Sequence, residues 1–219
     1  MKILLTNDDG IQAKGLIDLY EILCTFGETI IVAPEYNQST KSHSISLNTP
    51  LRVRETQKNK FALLGLPADC VNFAINSKIG KKPFDLVVSG INDGANIGDD
   101  INYSGTVAAA REGFLHGVNS IAISIANKKN PKYKDCSICF KTILDKIISI
   151  KLKSFFLNIN YPNVALAPDS ISCSTWREEV LDYIDYVHKN CSCRFGGCRY
   201  GRTTLSKTQK KLGIITGES

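Results

Sequence analysis

Two adjacent aspartates, Asp8 and Asp9, follow a short apolar run, Lys2–Thr6, near the start of the chain. Side-by-side carboxylates repel one another unless a cation neutralises them. Carboxylate, amide and hydroxyl oxygens are hard donors of the kind that Mg²⁺ and Mn²⁺ take. An amide such as Asn92 and a hydroxyl such as Ser39 would complete such a set with the two acids. The competing reading is a solvated Asp-Asp-Gly turn whose first acid caps the helix behind it.

Residues 90–105 strengthen the first reading. They hold Gly90, Gly94, Gly98 and Gly105 together with Asn92, Asn96 and Asn102. Glycines let backbone approach an anion closely, and successive N–H groups can form a nest. Thr106 then opens a helix whose N-terminus can hold phosphate. The stretch is neither a Walker loop nor the dinucleotide G-x-G-x-x-G pattern. His43 shares a loop with Ser39, where it contacts substrate or makes a structural hydrogen bond. His116 falls at the end of the same helix as Arg111 and Glu112, suited to a dipole role, and those two suit a surface pair. Asp69, behind Pro67, caps or orients its helix. Cys136-x-x-Cys139 lacks a second such pair, so plain thiols are expected there. Cys173, Cys191, Cys193 and Cys198 fit no common zinc spacing.

These residues need a scaffold that brings distant segments together, and the hydrophobic pattern supplies one. Apolar runs at 2–6, 29–33, 86–89, 120–126 and 155–159 read as buried strands. Between them, helical spacing appears at Leu16, Leu19, Tyr20 and Leu23, with Gly27 closing that helix, and again within 135–149; residues 68–77 can form a helix behind Pro67, and the Ala-rich run 106–115 suits another. Residues 51–56 and 61–64 read as a hairpin. Continuous apolar strands alternating with helices predict an α/β fold: a three-layer, Rossmann-like, mostly parallel sheet with an atypical C-terminal tail. In such sheets ligands bind beyond the carboxyl ends of the strands, where each polar cluster above falls.

The bulk properties fit this. At 219 residues, 43% hydrophobic and 22% charged, the chain has material for one substantial core. It has no apolar run of roughly 18 residues and no leader-like start, so a cytoplasmic protein is expected, with its eight cysteines reduced. The formal charge of +6 is concentrated late: residues 190–219 hold six basic side chains against one acid.

Taken together, Met1-Lys-Ile-Leu-Leu-Thr-Asn-Asp-Asp-Gly-Ile11, Ala33-Pro34 with Ser39 and His43-Ser, Leu66-Pro-Ala-Asp-Cys70, Val88-Ser-Gly-Ile-Asn-Asp-Gly-Ala-Asn-Ile-Gly98, Tyr103-Ser-Gly-Thr-Val-Ala-Ala-Ala-Arg-Glu-Gly113 and Leu157-Asn-Ile-Asn-Tyr-Pro162 resemble the stationary-phase survival protein SurE family. The resemblance implies a divalent-metal-dependent 5′/3′-nucleotidase, a phosphoric monoester hydrolase, with exopolyphosphatase activity as a further expectation. It implies one Mg²⁺ or Mn²⁺ per subunit on Asp8, Asp9, Ser39 and Asn92, with Asp8 and Asp9 catalytic. It also implies that Asn96, Ser104, Gly105 and Thr106 lie around the phosphate, and that the protein is a homo-oligomer, dimer or tetramer, with no membrane partner.

Family members continue with an Arg- and aromatic-rich segment and end on a Ser-(Val/Ile)-Thr-Pro-Leu strand, neither of which stands between Asn163 and Ser219. The expected division is a Rossmann-like metallophosphatase domain over 1–162 and a divergent segment over 163–219, disordered or displaced in reading frame. A catalytically impaired nucleotide- or nucleic-acid-binding protein with a basic tail is the competing function. Against it, only Phe195 and Tyr200 interleave aromatics with that basic run.

Overall fold

The computed structural model describes residues 1–77, 79, 82–126, 130–162, 178–182 and 184–185, and the backbone of 215–216. Most of 163–219 therefore lies outside the described residues, including His188, Cys173, Cys191, Cys193, Cys198 and the basic run. Eight strands form one sheet: β1 (Lys2–Thr6), β2 (Glu28–Pro34), β3 (Arg52–Gln57), β4 (Lys60–Leu64), β5 (Leu86–Asp93), β6 (Asn119–Ile125), β7 (Phe156–Tyr161) and β8 (Ile215–Thr216). Their order is β3-β4-β2-β1-β5-β6-β7-β8. The six inner strands pair in parallel, and β3 and β8 pair antiparallel at the two edges. The expected α/β fold is what forms.

Helices α1 (Lys14–Leu23), α2 (Pro67–Asn76), α3 (Asp100–Tyr103), α4 (Gly105–Leu115) and α5 (Tyr133–Ser149) join the strands. Side chains alternate across a strand, and β1 uses this to feed both faces. Ile3 and Leu5 enter a core with Leu16 and Leu19 of α1 and Phe140 and Ile143 of α5. Leu4 points the other way, into a core with Cys70 and Val71 of α2 and Ala109 of α4. Full burial on both faces is why these strands read as unbroken apolar runs. Cys136 and Cys139 lie on the buried side of α5 within the first core, which accounts for their spacing by packing.

Several boundaries move by a residue or two from expectation, and at α1 and α4 the reason is identifiable. Helix α1 ends at Leu23 with Cys24 as its cap, before Gly27. Gly27 instead holds φ +155° where the chain enters β2, with a Cβ position only 2.0 Å from the Met1 carbonyl oxygen. Helix α4 begins one residue early, at Gly105, because the Ser104 hydroxyl accepts the Val107 N–H and acts as its N-cap. Beyond Pro162, where no alternation was expected, residues 178–182 and 184–185 are helical, and Val180 and Ile184 are buried in the α1–α5 core.

Strand β1 is central. The chain leaves it toward β2 on one side and returns through α2 to β5 on the other. The carboxyl ends of β1 and β5 thus flank the point where the winding reverses, where a crevice opens in such sheets.

Candidate functional site

The segment after β1 is a tight turn built by Asn7. Its side-chain amide donates to the Gly10 carbonyl at 2.9 Å and its side-chain oxygen accepts the Gly10 N–H at 3.2 Å. Gly10 adopts φ +103° there, a left-handed conformation that favours glycine. The turn leaves Asp8 3% exposed and Asp9 half-buried.

Asp8 faces the start of α4. The Thr106 hydroxyl donates to Asp8 Oδ1. A Cβ on Gly105 would lie 2.8 Å from the Asp8 Cβ and 3.1 Å from its Oδ2, so only glycine lets the helix end seat this closely. Burial pushes the Asp8 carboxyl above its ordinary value, and the Thr106 hydroxyl opposes that by favouring the charged form. A carboxylate and a helix N-terminus therefore share one spot, where the helix dipole attracts negative charge.

The loop after β2 closes against the same turn. The Gln38 N–H donates to the Asp8 carbonyl at 2.7 Å, and the Asn37 side-chain amide donates to Asp9 Oδ1 at 3.2 Å. The Ser39 N–H then donates to the Asn37 side-chain oxygen at 2.9 Å, and Ser39 is exposed, one residue past the Gln38 contact to Asp8. Asn92 stands one residue before the end of β5, three beyond Ser89, which pairs with Thr6 of β1. Its amide donates to the Gly94 carbonyl at 2.7 Å, leaving its own carbonyl oxygen outside that bond. Asp9, Asp93 and Asp18 all act on Tyr133 at the start of α5, whose hydroxyl is pushed up to about 12, first by burial and then by these charges.

Among the described residues no three His, Cys, Asp or Glu side chains gather as a cation site. A cation at Asp8 and Asp9 would therefore draw on amide and hydroxyl oxygens as well, and this hard donor set fits Mg²⁺ or Mn²⁺. A divalent charge there would offset the desolvation of Asp8.

The other expected positions separate into two groups. Ser104, Gly105 and Thr106 form the capped start of α4 against Asp8. Asn96 is fixed from behind: its N–H donates to Asn160 Oδ1 at 2.8 Å, its carbonyl accepts from Asn158 and Asn160, and its amide donates to the Ser124 hydroxyl at 2.8 Å. Asn158 and Asn160 of β7 thus hold the glycine-rich loop, a role the period-2 spacing of two asparagines in a buried strand signals. His43 points to α4, where its Nε2 lies 2.8 Å from Glu112 Oε2; this is the structural alternative weighed for it. Glu112 turns to His43 and to His116 (3.3 Å) and not to Arg111 as a surface pair. Asp69 does orient its helix, accepting the Leu66 N–H at 2.9 Å, and it also binds Ser46 of the β2–β3 loop through both N–H and hydroxyl.

Comparison with known proteins follows the same residues. The crystal structure of the SurE protein from Aquifex aeolicus superposes with a TM-score of 0.72 at 37% identity, covering 75% of this chain and 67% of that one. A protein named 5′-nucleotidase SurE from Geotalea uraniireducens is 45% identical over 166 residues, 75% of this chain and 66% of the relative. Its namesake in Vibrio vulnificus is 45% identical over 167 residues, 76% of this chain and 65% of that protein. One from a Geobacter species is 38% identical over 198 residues, or 87% of this chain and 79% of the relative. The match thus spans about two thirds of the length of several relatives. The model of the family described as survival protein SurE matches residues 3–180, from the first strand through the helical segment at Val180. With the aspartate turn, the glycine-rich loop and the parallel sheet all inside that match, the chain belongs to the SurE family.

Proposed function

We propose that this chain is a divalent-metal-dependent nucleotidase that hydrolyses nucleoside 5′- and 3′-monophosphates to nucleoside and phosphate. The observation that carries this reading is the contact between Asp8 and the start of α4, which sets an acidic, cation-suited turn against an anion-attracting helix end. The relatives' name supports the substrate class. Asp8, Asp9, Ser39 and Asn92 would hold the cation, which when bound supplies Lewis-acid polarisation of a phosphoryl oxygen and a more acidic water.

The chain's own groups have distinct tasks in this reading. Thr106 fixes the Asp8 carboxylate in one orientation. Asp9, the more accessible of the two, is held through one oxygen by Asn37 and acts as base or nucleophile toward phosphorus. The N–H groups at the start of α4 and the loop backed by Asn158 and Asn160 stabilise charge on the phosphate oxygens. Cleavage of short polyphosphate, assembly into a dimer or tetramer and a cytoplasmic location belong to the same proposal. Among the described residues no helix is long and apolar enough to cross a membrane.

The test is phosphate release from AMP and GMP with Mn²⁺, its loss with EDTA, and its loss in Asp8→Asn and Asp9→Asn variants that keep the wild-type melting profile. Near-normal turnover in either variant would refute the assignment. Nucleotide binding by the wild type with no phosphate released would favour the impaired binding protein instead. Light scattering and cell fractionation read the assembly and location.

A further inference from the structure

The β2–β3 loop that carries Ser39 is held at both ends of its exposed tip. On one side the Gln38 N–H is fixed to the Asp8 carbonyl. On the other, the Ser42 N–H donates to the Tyr103 carbonyl at 3.1 Å, and His43 Nε2 donates to Glu112 Oε2 at 2.8 Å. Only Ser39, Thr40 and Lys41 lie between these anchors, and all three are exposed. Thr40 and Ser42 adopt left-handed backbone, φ +62° and +52°, an unfavourable conformation for non-glycine residues that the flanking bonds must hold.

Glu112 is built to receive His43. It lies two turns into α4, and its side chain is only 12% exposed. Its Oε1 is taken by His116 one turn later at 3.3 Å and by the Asn72 amide of α2 at 3.4 Å. The carboxylate is thereby fixed from its own helix and from the neighbouring one, and Oε2 is directed at the loop. Hydrogen bonds to a charged group are roughly twice as strong as neutral ones. His43 reaches this carboxylate across 69 positions of sequence.

We propose that Glu112 and His43 are positioning residues: the clasp between them holds the loop so that Ser39 can serve the cation at Asp8 and Asp9. Neither residue touches substrate in this account; both act through Ser39. The role of Ser39 as a cation ligand is taken from the proposed function, whereas the clasp itself stands on the bonds just described.

Two measurements on the full chain separate these layers. Trypsin cleavage at Lys41–Ser42, quantified by mass spectrometry, reads how often the loop tip opens. His43→Ala and Glu112→Ala should each speed that cut about ten-fold, with the double variant no faster, as expected for loss of one charge-assisted bond. Mn²⁺ binding, followed by the electron paramagnetic resonance of the free ion, reads the consequence. His43→Ala should weaken it about three- to ten-fold, and the effect should vanish in a Ser39→Ala background, since coupled residues are non-additive. An unchanged cleavage rate in His43→Ala overturns the clasp. A weakening of Mn²⁺ binding that persists without Ser39 overturns the route through Ser39. If the wild type binds no Mn²⁺ while cleavage still accelerates, the cation assignment fails and the positioning role falls with it, leaving the clasp only as a loop anchor.

Discussion

Asp8 is held from three directions, by the Asn7–Gly10 turn around it, by Gln38 at its carbonyl and by Thr106 at its carboxylate. Such preorganisation makes the site sensitive to single atoms. Gly105→Ala would place a methyl 2.8 Å from the Asp8 Cβ, so either the aspartate or the helix end must move. Turnover of AMP should fall by at least about 100-fold, the scale expected of a displacement near 1 Å, and steady-state kinetics reads it. Thr106→Val keeps the volume but removes the donor; kcat/KM should drop roughly 10- to 100-fold, the worth of a hydrogen bond to a charged group. A cation bound only by the folded state also stabilises it, by about 2.7 kcal/mol at one hundred times its dissociation constant. Mn²⁺ should accordingly raise the melting temperature of the wild type and leave Asp8→Asn unmoved. In sequence the adjacent aspartates alone read equally as a solvated turn, and only the glycine-rich stretch at 90–105 tips them toward a site. The Glu112–His43 pairing was not legible there, since each residue has an ordinary local explanation and only the tertiary fold brings them together.

At the scale of elements, strand and helix order was readable because the central strands β1, β2, β5, β6 and β7 are almost wholly buried and α1 and α5 each bury an apolar stripe. What local pattern does not reveal is how loops are tied to helices. Asp69 illustrates this. Its place behind Pro67 predicts a helix-start role, which the Leu66 N–H confirms, but its grip on Ser46 lies 23 residues away. Asp69 is 3% exposed, so truncating it strands three donors at once. Asp69→Ala should lose about 1–3 kcal/mol or more of stability, the penalty for unmatched buried polar groups. Urea unfolding reads the loss as a lower midpoint at unchanged slope. A variant with wild-type stability would mean that the β2–β3 loop and α2 are not coupled in this way. The asparagines of β7 follow the same logic: period 2 puts Asn158 and Asn160 on one face, but their partner, the Asn96 backbone, is more than 60 residues distant.

For the whole molecule, the question is how far the folded unit extends past the sheet's last inner strand. Composition suggested a break at 162, because apolar periodicity fades there. The helical residues 178–182 and 184–185 nevertheless return to the α1–α5 core: Val180 and Ile184 are each 1% exposed, and Asp185 pairs with Lys146 of α5 at 2.8 Å. The apolar spacing of Val180 and Ile184, four apart, is a helical signal too short to stand out within a polar, Cys-containing stretch. Ile184→Ala removes buried methylenes from the main core and should cost about 2–5 kcal/mol. For a chain of this size that is a drop in melting temperature of roughly 5–15 °C. Glu178→Ala, at an exposed position of the same segment, should leave the melt within about 0.5 kcal/mol of wild type. Equal melting of both variants would put the segment off the core. A selective loss in Ile184→Ala would show that the sheet carrying the aspartates depends for stability on residues beyond 162, and even beyond residue 180, where the family match ends.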